Sequence, residues 1–284
     1  MKPSDYVKDK PVWCPGCGDF GVLRAVQQAF ADLNLKQEDI VVVSGIGCSG
    51  KFSSDVMSYG FHGIHGRLLP VATGVKLANS DLTVVGIGGD GDGYSIGMNH
   101  FIHALRRNMN ITYIVLDNRV YGLTKGQTSP TSDMDFPTKM APVGSGIEPV
   151  HPISLAMAAG GSFVAQGFSS DVKELTGIIK EGIQYDGFSF INVFSPCVTF
   201  NHKNTYDWFR AHIVKLSSIE GYDPFSRAMA IEKAMDQTHL YTGLFYMDKN
   251  KKSYNTSSAY VPAVRSIAKQ PLKKLDIDFK EVFS

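Results

Sequence analysis

At 284 residues, with 43% hydrophobic and 19% charged residues, the chain has the composition of a globular protein with room for one large domain or two small ones. A formal net charge of +1 argues against a dedicated nucleic-acid surface. The polar start Met1–Lys10 lacks the apolar stretch of a secretory signal, and no apolar run approaches the roughly 20 residues of a membrane span, so neither export nor membrane insertion is expected and the default compartment is the cytoplasm.

In chain order, a Trp13-Cys14-Pro-Gly-Cys17-Gly turn precedes a first helix over Gly21–Leu33, and a buried strand follows at Ile40–Ile46. A helix over Pro70–Asn79, a strand over Leu82–Gly88, a helix over Tyr94–Asn108 and a strand over Ile111–Asp117 come next. Beyond them lie a helix at Ile153–Ala159, a strand at Ser162–Gln166, a helix at Asp171–Ile183 and a strand at Phe188–Phe194. The strands are β-branched and lack polar alternation, as expected where helices cover both faces of a sheet. Strands alternating with helices predict a doubly wound, mostly parallel α/β sheet. Arg119–Val150, rich in Gly, Pro, Thr and Ser, is too long for a simple connection and reads as a functional loop. The expected division is an α/β domain over residues 1–200 and an extension over 201–284 that packs on the domain or a partner. That extension carries Tyr206, Trp208 and Phe209, then a basic stretch with Lys249, Lys251, Lys252, Arg265, Lys269, Lys273 and Lys274, which reads as a solvated face.

The richest motif is Gly89-Asp90-Gly91-Asp92-Gly after one strand, with Asp117-Asn118 closing the next. Glycines let backbone approach phosphate oxygens. Asp90 and the Asn118 amide oxygen are hard ligands suited to Mg²⁺, which takes one or two carboxylates plus its ligand's phosphates. The combination resembles the binding motif of thiamine diphosphate enzymes. The plainer alternative for Asn118 is a strand-end turn residue.

Four cysteines are too few for a disulfide scaffold. Cys48 and Cys197 each follow a strand, so in a parallel sheet they share the carboxyl rim with Asp90 and Asn118. One close pair, Cys14 and Cys17, plus two distant single cysteines suits a 4Fe–4S cluster, a zinc ion, or redox and core thiols alike. A neighbouring thiamine site favours the cluster.

Taken together, the motifs resemble the β subunit of a 2-oxoacid:ferredoxin oxidoreductase. The match runs through Val12–His202 and includes the cysteine turn, Gly45-Ile-Gly47-Cys48-Ser49-Gly-Lys51 and His65-Gly-Arg67. It continues through the Asp90 loop, Asp117-Asn118-Arg-Val120-Tyr-Gly122-Leu123-Thr124-Lys125-Gly-Gln127-Thr-Ser-Pro-Thr, and Ser195-Pro-Cys197. The resemblance implies thiamine diphosphate, Mg²⁺ held by Asp90, Asn118 and the Val120 carbonyl, and one 4Fe–4S cluster on Cys14, Cys17, Cys48 and Cys197. It also implies cofactor contacts from Gly47, Cys48, Ser49, His65, Gly89, Gly91, Asp92, Gly122 and Leu123. Lys51, Leu123, Thr124 and Lys125 are the expected substrate residues, with Gln127 beside them, and Lys51, His65 and Lys125 the expected catalytic ones. His65 would bond the diphosphate or move a proton. His100 and His103 are expected to be helix-surface residues rather than metal ligands.

The implied activity is coenzyme A-dependent oxidative decarboxylation of a 2-oxoacid, with electrons leaving for ferredoxin. The thiamine-activating glutamate has no candidate here beyond Glu148, which lacks a supporting motif. The family draws it from a larger α (or fused γα) subunit, so this chain alone is expected to be inactive. Closest to this reading stands a non-oxidative thiamine enzyme whose cysteines hold zinc.

Overall fold

The computed structural model describes residues 1–257 and Ala268. Arg265, Lys269, Lys273 and Lys274 of the expected basic face therefore lie outside the described residues. Among the described residues six parallel strands make up most of the sheet: β1 (Ile40–Ser44), β2 (Tyr59–His62), β3 (Thr83–Gly89), β4 (Ile111–Asp117), β5 (Phe163–Phe168) and β6 (Phe188–Phe194). Two more, β7 (Ile213–Lys215) and β8 (Leu240–Met247), extend it, and the order is β2-β1-β3-β4-β6-β5-β8-β7. Among the described strands only the β5–β8 pairing is antiparallel. The fold is the doubly wound, mostly parallel α/β sheet that the alternation of elements implied.

The apolar runs lack polar alternation because both faces of each strand are buried; what alternates is the face. Val42, Val85, Ile114 and Ile191 pack under α1 (Asp19–Asp32) and α6 (Val172–Gln184), with Val26, Phe30, Leu175 and Ile179. Their neighbours Val43, Val84, Tyr113 and Phe190 point the other way. There they meet Leu68 and Ala72 of α3 (Leu68–Ala78), Phe101 and Leu105 of α4 (Met98–Arg107), and Met157 of α5 (Pro152–Ala158). The short α2 (Phe52–Asp55) leads into β2. In place of one helix over Tyr94–Asn108, a kinked turn at Asp92–Ile96, with Ser95 off helical geometry, precedes α4. The Asp92 side chain is pinned to other loops at the sheet edge, so a straight helix cannot begin there.

The described part of the C-terminal segment adds two strands to the sheet. Its α7 (Tyr206–His212) seats Phe209 against Phe168 and Phe194, and Arg119 lies over the rings of Phe194, Trp208 and Phe209 at 5.3–5.6 Å. Such cation–π contacts contribute about 0.5–2 kcal/mol each. Then α8 (Arg227–Met235) leads to β8. Asn108, the left-handed cap of α4, locks the far end: its Oδ1 accepts from Ser162 Oγ and Phe188 N, and its Nδ2 donates to Lys252 O at 3.0 Å.

Candidate active site

The chain leaves β1 toward one edge of the sheet and returns at β3 on its other side, so the β1/β3 carboxyl ends form a switch point, the usual ligand crevice of such sheets. The cleft at this point is lined by Gly47, Cys48, Ser49, His65, Gly89, Asp90, Gly91, Asp92, Asn118, Val120, Gly122, Leu123 and Thr124. Every expected cofactor contact therefore borders one space. Leu123 and Thr124 are exposed at its mouth. Lys51, at the end of the short turn after Cys48, is exposed and does not line the cleft, nor do Lys125 and Gln127. Gln127 instead donates to the Thr124 carbonyl at 2.8 Å. Asp19, Ile46, Leu116 and Tyr121 line the cleft beyond the expected set. Tyr121 lies inside the Asn118 motif, and its hydroxyl donates to the Gly91 carbonyl at 3.3 Å.

Asp90 is buried, and its Oδ2 accepts from the hydroxyls of Ser129 and Thr131. Burial raises its carboxyl above the usual range and the nearby Asp117 raises it further, so its surroundings disfavour the very charge that a cation would favour. Asn118 is fixed from two sides: its Oδ1 accepts from Val120 N at 3.1 Å, and its carbonyl accepts from Asn201 Nδ2 at 3.1 Å. Asp92 Oδ1 accepts from Ile46 N, Gly66 N and His65 Nδ1 at 3.0, 2.8 and 2.8 Å.

The donor set suits a diphosphate and a hard cation. Ser49 Oγ is buried without a hydrogen-bond partner, 3.5 Å from where a β-carbon on Gly89 would sit. Gly47, at φ +108° with open space beside it, lets the backbone approach a ligand in a conformation that a side chain would strain.

The cysteine loops meet on the same rim. Gly18 N donates to Pro196 O, and Ser195 Oγ donates to the buried Asp19 at 2.7 Å. Gly18 must be a glycine for this contact, because a β-carbon there would lie 2.5 Å from Ser195 Oγ and 2.8 Å from Pro196 N. Trp13 Nε1 donates to Cys48 O at 2.9 Å, bringing the first turn onto the β1 loop. A β-carbon on Gly122 would stand 3.4 Å from Cys197 Sγ and 3.9 Å from Cys48 Sγ. Burial, then Asp19 and Cys197, pushes the Cys48 thiol up to about 12, and burial, then Asp19, raises Cys17 as well. Among the described residues, however, no three His, Cys, Asp or Glu side chains stand close enough to hold a metal ion as they are. The fold gathers the thiols without closing them into a ligand set.

Among the described residues no glutamate lines this cleft; Glu148 borders a separate, larger one beside Arg119, His151 and His239. On α4, His100 is half-buried and His103 exposed. Among the described residues no helix is long and apolar enough to cross a membrane.

Switch-point cleft, glycine-lined Asp90 loop and Asn118 together define a thiamine diphosphate enzyme domain, and residues 45–193 match the family described as thiamine pyrophosphate enzyme, C-terminal TPP binding domain. Residues 197–261 match the family described as the C-terminal part of the pyruvate ferredoxin oxidoreductase beta subunit. Across 93% of its length the chain is 43% identical to the β subunit of 2-oxoacid:ferredoxin oxidoreductase 1 of Aeropyrum pernix, of which it covers 87%. It is 42% identical to the β subunit of the Sulfolobus sp. enzyme, with 91% of each chain covered. A solved 2-oxoglutarate:ferredoxin oxidoreductase from Magnetococcus marinus, with 2-oxoglutarate, coenzyme A and succinyl-CoA bound, superposes with a TM-score of 0.86. Its identity to this chain is 40%, over 89% of this chain and 87% of that one. The chain belongs to the 2-oxoacid:ferredoxin oxidoreductase family, as a β subunit.

Proposed function

We propose that this subunit takes part in the coenzyme A-dependent oxidative decarboxylation of a 2-oxoacid to acyl-CoA and CO₂, with the electrons passed to ferredoxin. The observation that carries the reading is the single cleft in which Asp90, Asn118 and Val120 meet the unpartnered Ser49 hydroxyl, Gly47 and Cys48. Thiamine diphosphate, when bound, supplies the nucleophile for the ketone and the electron sink for decarboxylation. Asp90, the Asn118 amide and the Val120 carbonyl would hold Mg²⁺, and Gly47, Ser49, Gly89 and Gly91 would cradle the phosphates. His65, with Nδ1–H turned to Asp92, keeps Nε2 free to accept or return a proton at the cleft. Leu123 and Thr124, at the mouth, contact the 2-oxoacid, with the exposed Lys51 and Lys125 as the cations offered to its carboxylate.

Cys14, Cys17, Cys48 and Cys197 hold one 4Fe–4S cluster beside this cleft. Burial raises the thiols of Cys17, Cys48 and Cys197, so they would have to give up protons to serve as ligands. A larger partner subunit contributes the glutamate that activates the thiamine. The test is anaerobic purification with and without that subunit, followed by ultraviolet–visible and electron paramagnetic resonance spectra before and after a 2-oxoacid is added. A brown iron–sulfur band that bleaches only with substrate, thiamine diphosphate and partner present is the expected result. A colourless protein with stoichiometric zinc would overturn the reading and leave a non-oxidative thiamine enzyme.

A further inference from the structure

The Thr-Ser129-Pro-Thr131-Ser132 run of the long loop has no role in the cofactor reading, yet it buries three hydroxyls: Ser129 is 8% exposed, Thr131 4% and Ser132 3%. Ser132 secures the turn itself, accepting from Ser129 N at 2.8 Å and donating to the Arg119 carbonyl at 2.6 Å. The other two converge on one atom. Ser129 Oγ and Thr131 Oγ1 both donate to Oδ2 of Asp90, the latter at 2.8 Å. On its other side Thr131 Oγ1 lies 2.7 Å from Oδ1 of Asp117, whose Oδ2 accepts from the buried Asn192 at 3.2 Å.

We propose that Thr131, seconded by Ser129, is a positioning residue that fixes which oxygen of Asp90 is left for the cation. An unrestrained carboxylate presents two equivalent oxygens and turns freely about its last bond. Two hydroxyls on the same oxygen remove that equivalence, so Oδ2 is committed to the loop and Oδ1 to the cleft. The Thr131 hydroxyl's single hydrogen cannot serve both acids at once, and Asp117 Oδ1 confines it from the other side at 2.7 Å. A threonine hydroxyl has one hydrogen and two lone pairs, and here it is wedged between two buried carboxylates. Without it, Asp90 and Asp117 would face each other unbridged, and the Asp90 side chain would turn away from the cleft to separate the charges. The motif therefore reaches the metal through Asp90 and does not touch substrate. The inference rests on Asp90 being the cation's ligand.

Mn²⁺ in place of Mg²⁺ provides the readout. The intact protein, co-expressed with its partner subunit and supplied with thiamine diphosphate, is titrated with Mn²⁺ while free Mn²⁺ is followed by electron paramagnetic resonance. Loss of a hydrogen-bonding partner behind a metal ligand typically costs roughly 10–100-fold in affinity, and Thr131→Val is expected to lose that much. Thr131→Ser, which keeps the hydroxyl, restores most of it, and Ser129→Ala shifts binding in the same direction as Thr131→Val. Wild-type Mn²⁺ affinity in Thr131→Val, alongside its loss in Asp90→Asn, would overturn the positioning role and leave Asp90 as the ligand. Wild-type affinity in Asp90→Asn as well would remove the ligand reading itself. If Thr131→Val does not fold, Ser129→Ala decides, and an unchanged affinity there overturns the proposal.

Discussion

His65 Nδ1 stands 2.8 Å from Asp92 Oδ1, the same oxygen that accepts the backbone N–H groups of Ile46 and Gly66. One atom thus joins the loop after β1, the loop before α3 and an imidazole at the cleft. A carboxylate only accepts, so Nδ1 carries the hydrogen and the tautomer is set. Asp92→Asn and His65→Ala are each expected to weaken thiamine diphosphate binding, measured by calorimetry with Mg²⁺ present. Because the two residues act as a unit, the double variant should fall short of the sum by about 0.5–3 kcal/mol. Strict additivity would separate His65 from Asp92.

Gly18 permits the contact between the first cysteine turn and the Ser195–Cys197 loop. Gly18→Ala forces a β-carbon against backbone atoms, a strain of about 1–3 kcal/mol. The expected result is less iron per chain after anaerobic reconstitution, with the far-ultraviolet circular dichroism unchanged. Full iron content would show that the two loops need not touch.

Asn108 joins α4, β5, β6 and the segment after β8 through one side chain. Asn108→Ala leaves Phe188 N and Ser162 Oγ without their acceptor, at about 1–3 kcal/mol for each buried group stranded. Thermal unfolding should move down by roughly 4–24 °C, given about 2–4 °C per kcal/mol for chains near this size.

Asp171 caps α6 by accepting from Glu174 N and pairs with Lys215 Nζ of β7 at 2.5 Å. Burial alone would raise its carboxyl, but the bonds from Lys215 and Glu174 hold it below the usual range. Its folded-state value is depressed, so the stabilisation is complete above the unfolded carboxylate range and lost as pH falls through the folded value. Asp171→Asn keeps a cap without that charge. Its unfolding midpoint should fall less steeply than that of the wild type between about pH 5 and pH 3.

Turnover should require the larger subunit. Purified alone, this chain is expected to bind thiamine diphosphate yet give no 2-oxoacid-dependent reduction of ferredoxin, with activity appearing on mixing. Activity of the isolated chain would mean that its own carboxylates suffice.

The central strands were legible because helices cover both faces, leaving unbroken runs such as Ile111–Asp117 and Phe188–Phe194. The edge strand Tyr59–His62 was not, since it is exposed throughout and carries no apolar run. Nor was Leu240–Met247, whose pairing with β5 shifts register at Val164/Ala165 and is set by tertiary contact rather than by period. Asp90 and Asn118 could be read from glycines and strand ends. What Ser129 and Thr131 touch could not, because it depends on a long loop folding back over the sheet. Lys51 and Lys125 look alike in sequence to any cleft lysine, and only the fold turns them outward.

The antiparallel seam between β5 and β8 also has a consequence for how the chain is made. Synthesis proceeds from the N-terminus at roughly 5–20 residues per second, so β5 is complete several seconds before Leu240 is added. During that interval its outer edge presents unpaired N–H and C=O groups, the feature that invites strands from other chains. The nascent subunit is therefore prone to aggregate until β8 arrives, and a slow stretch of translation between Phe168 and Leu240 would lengthen the exposure.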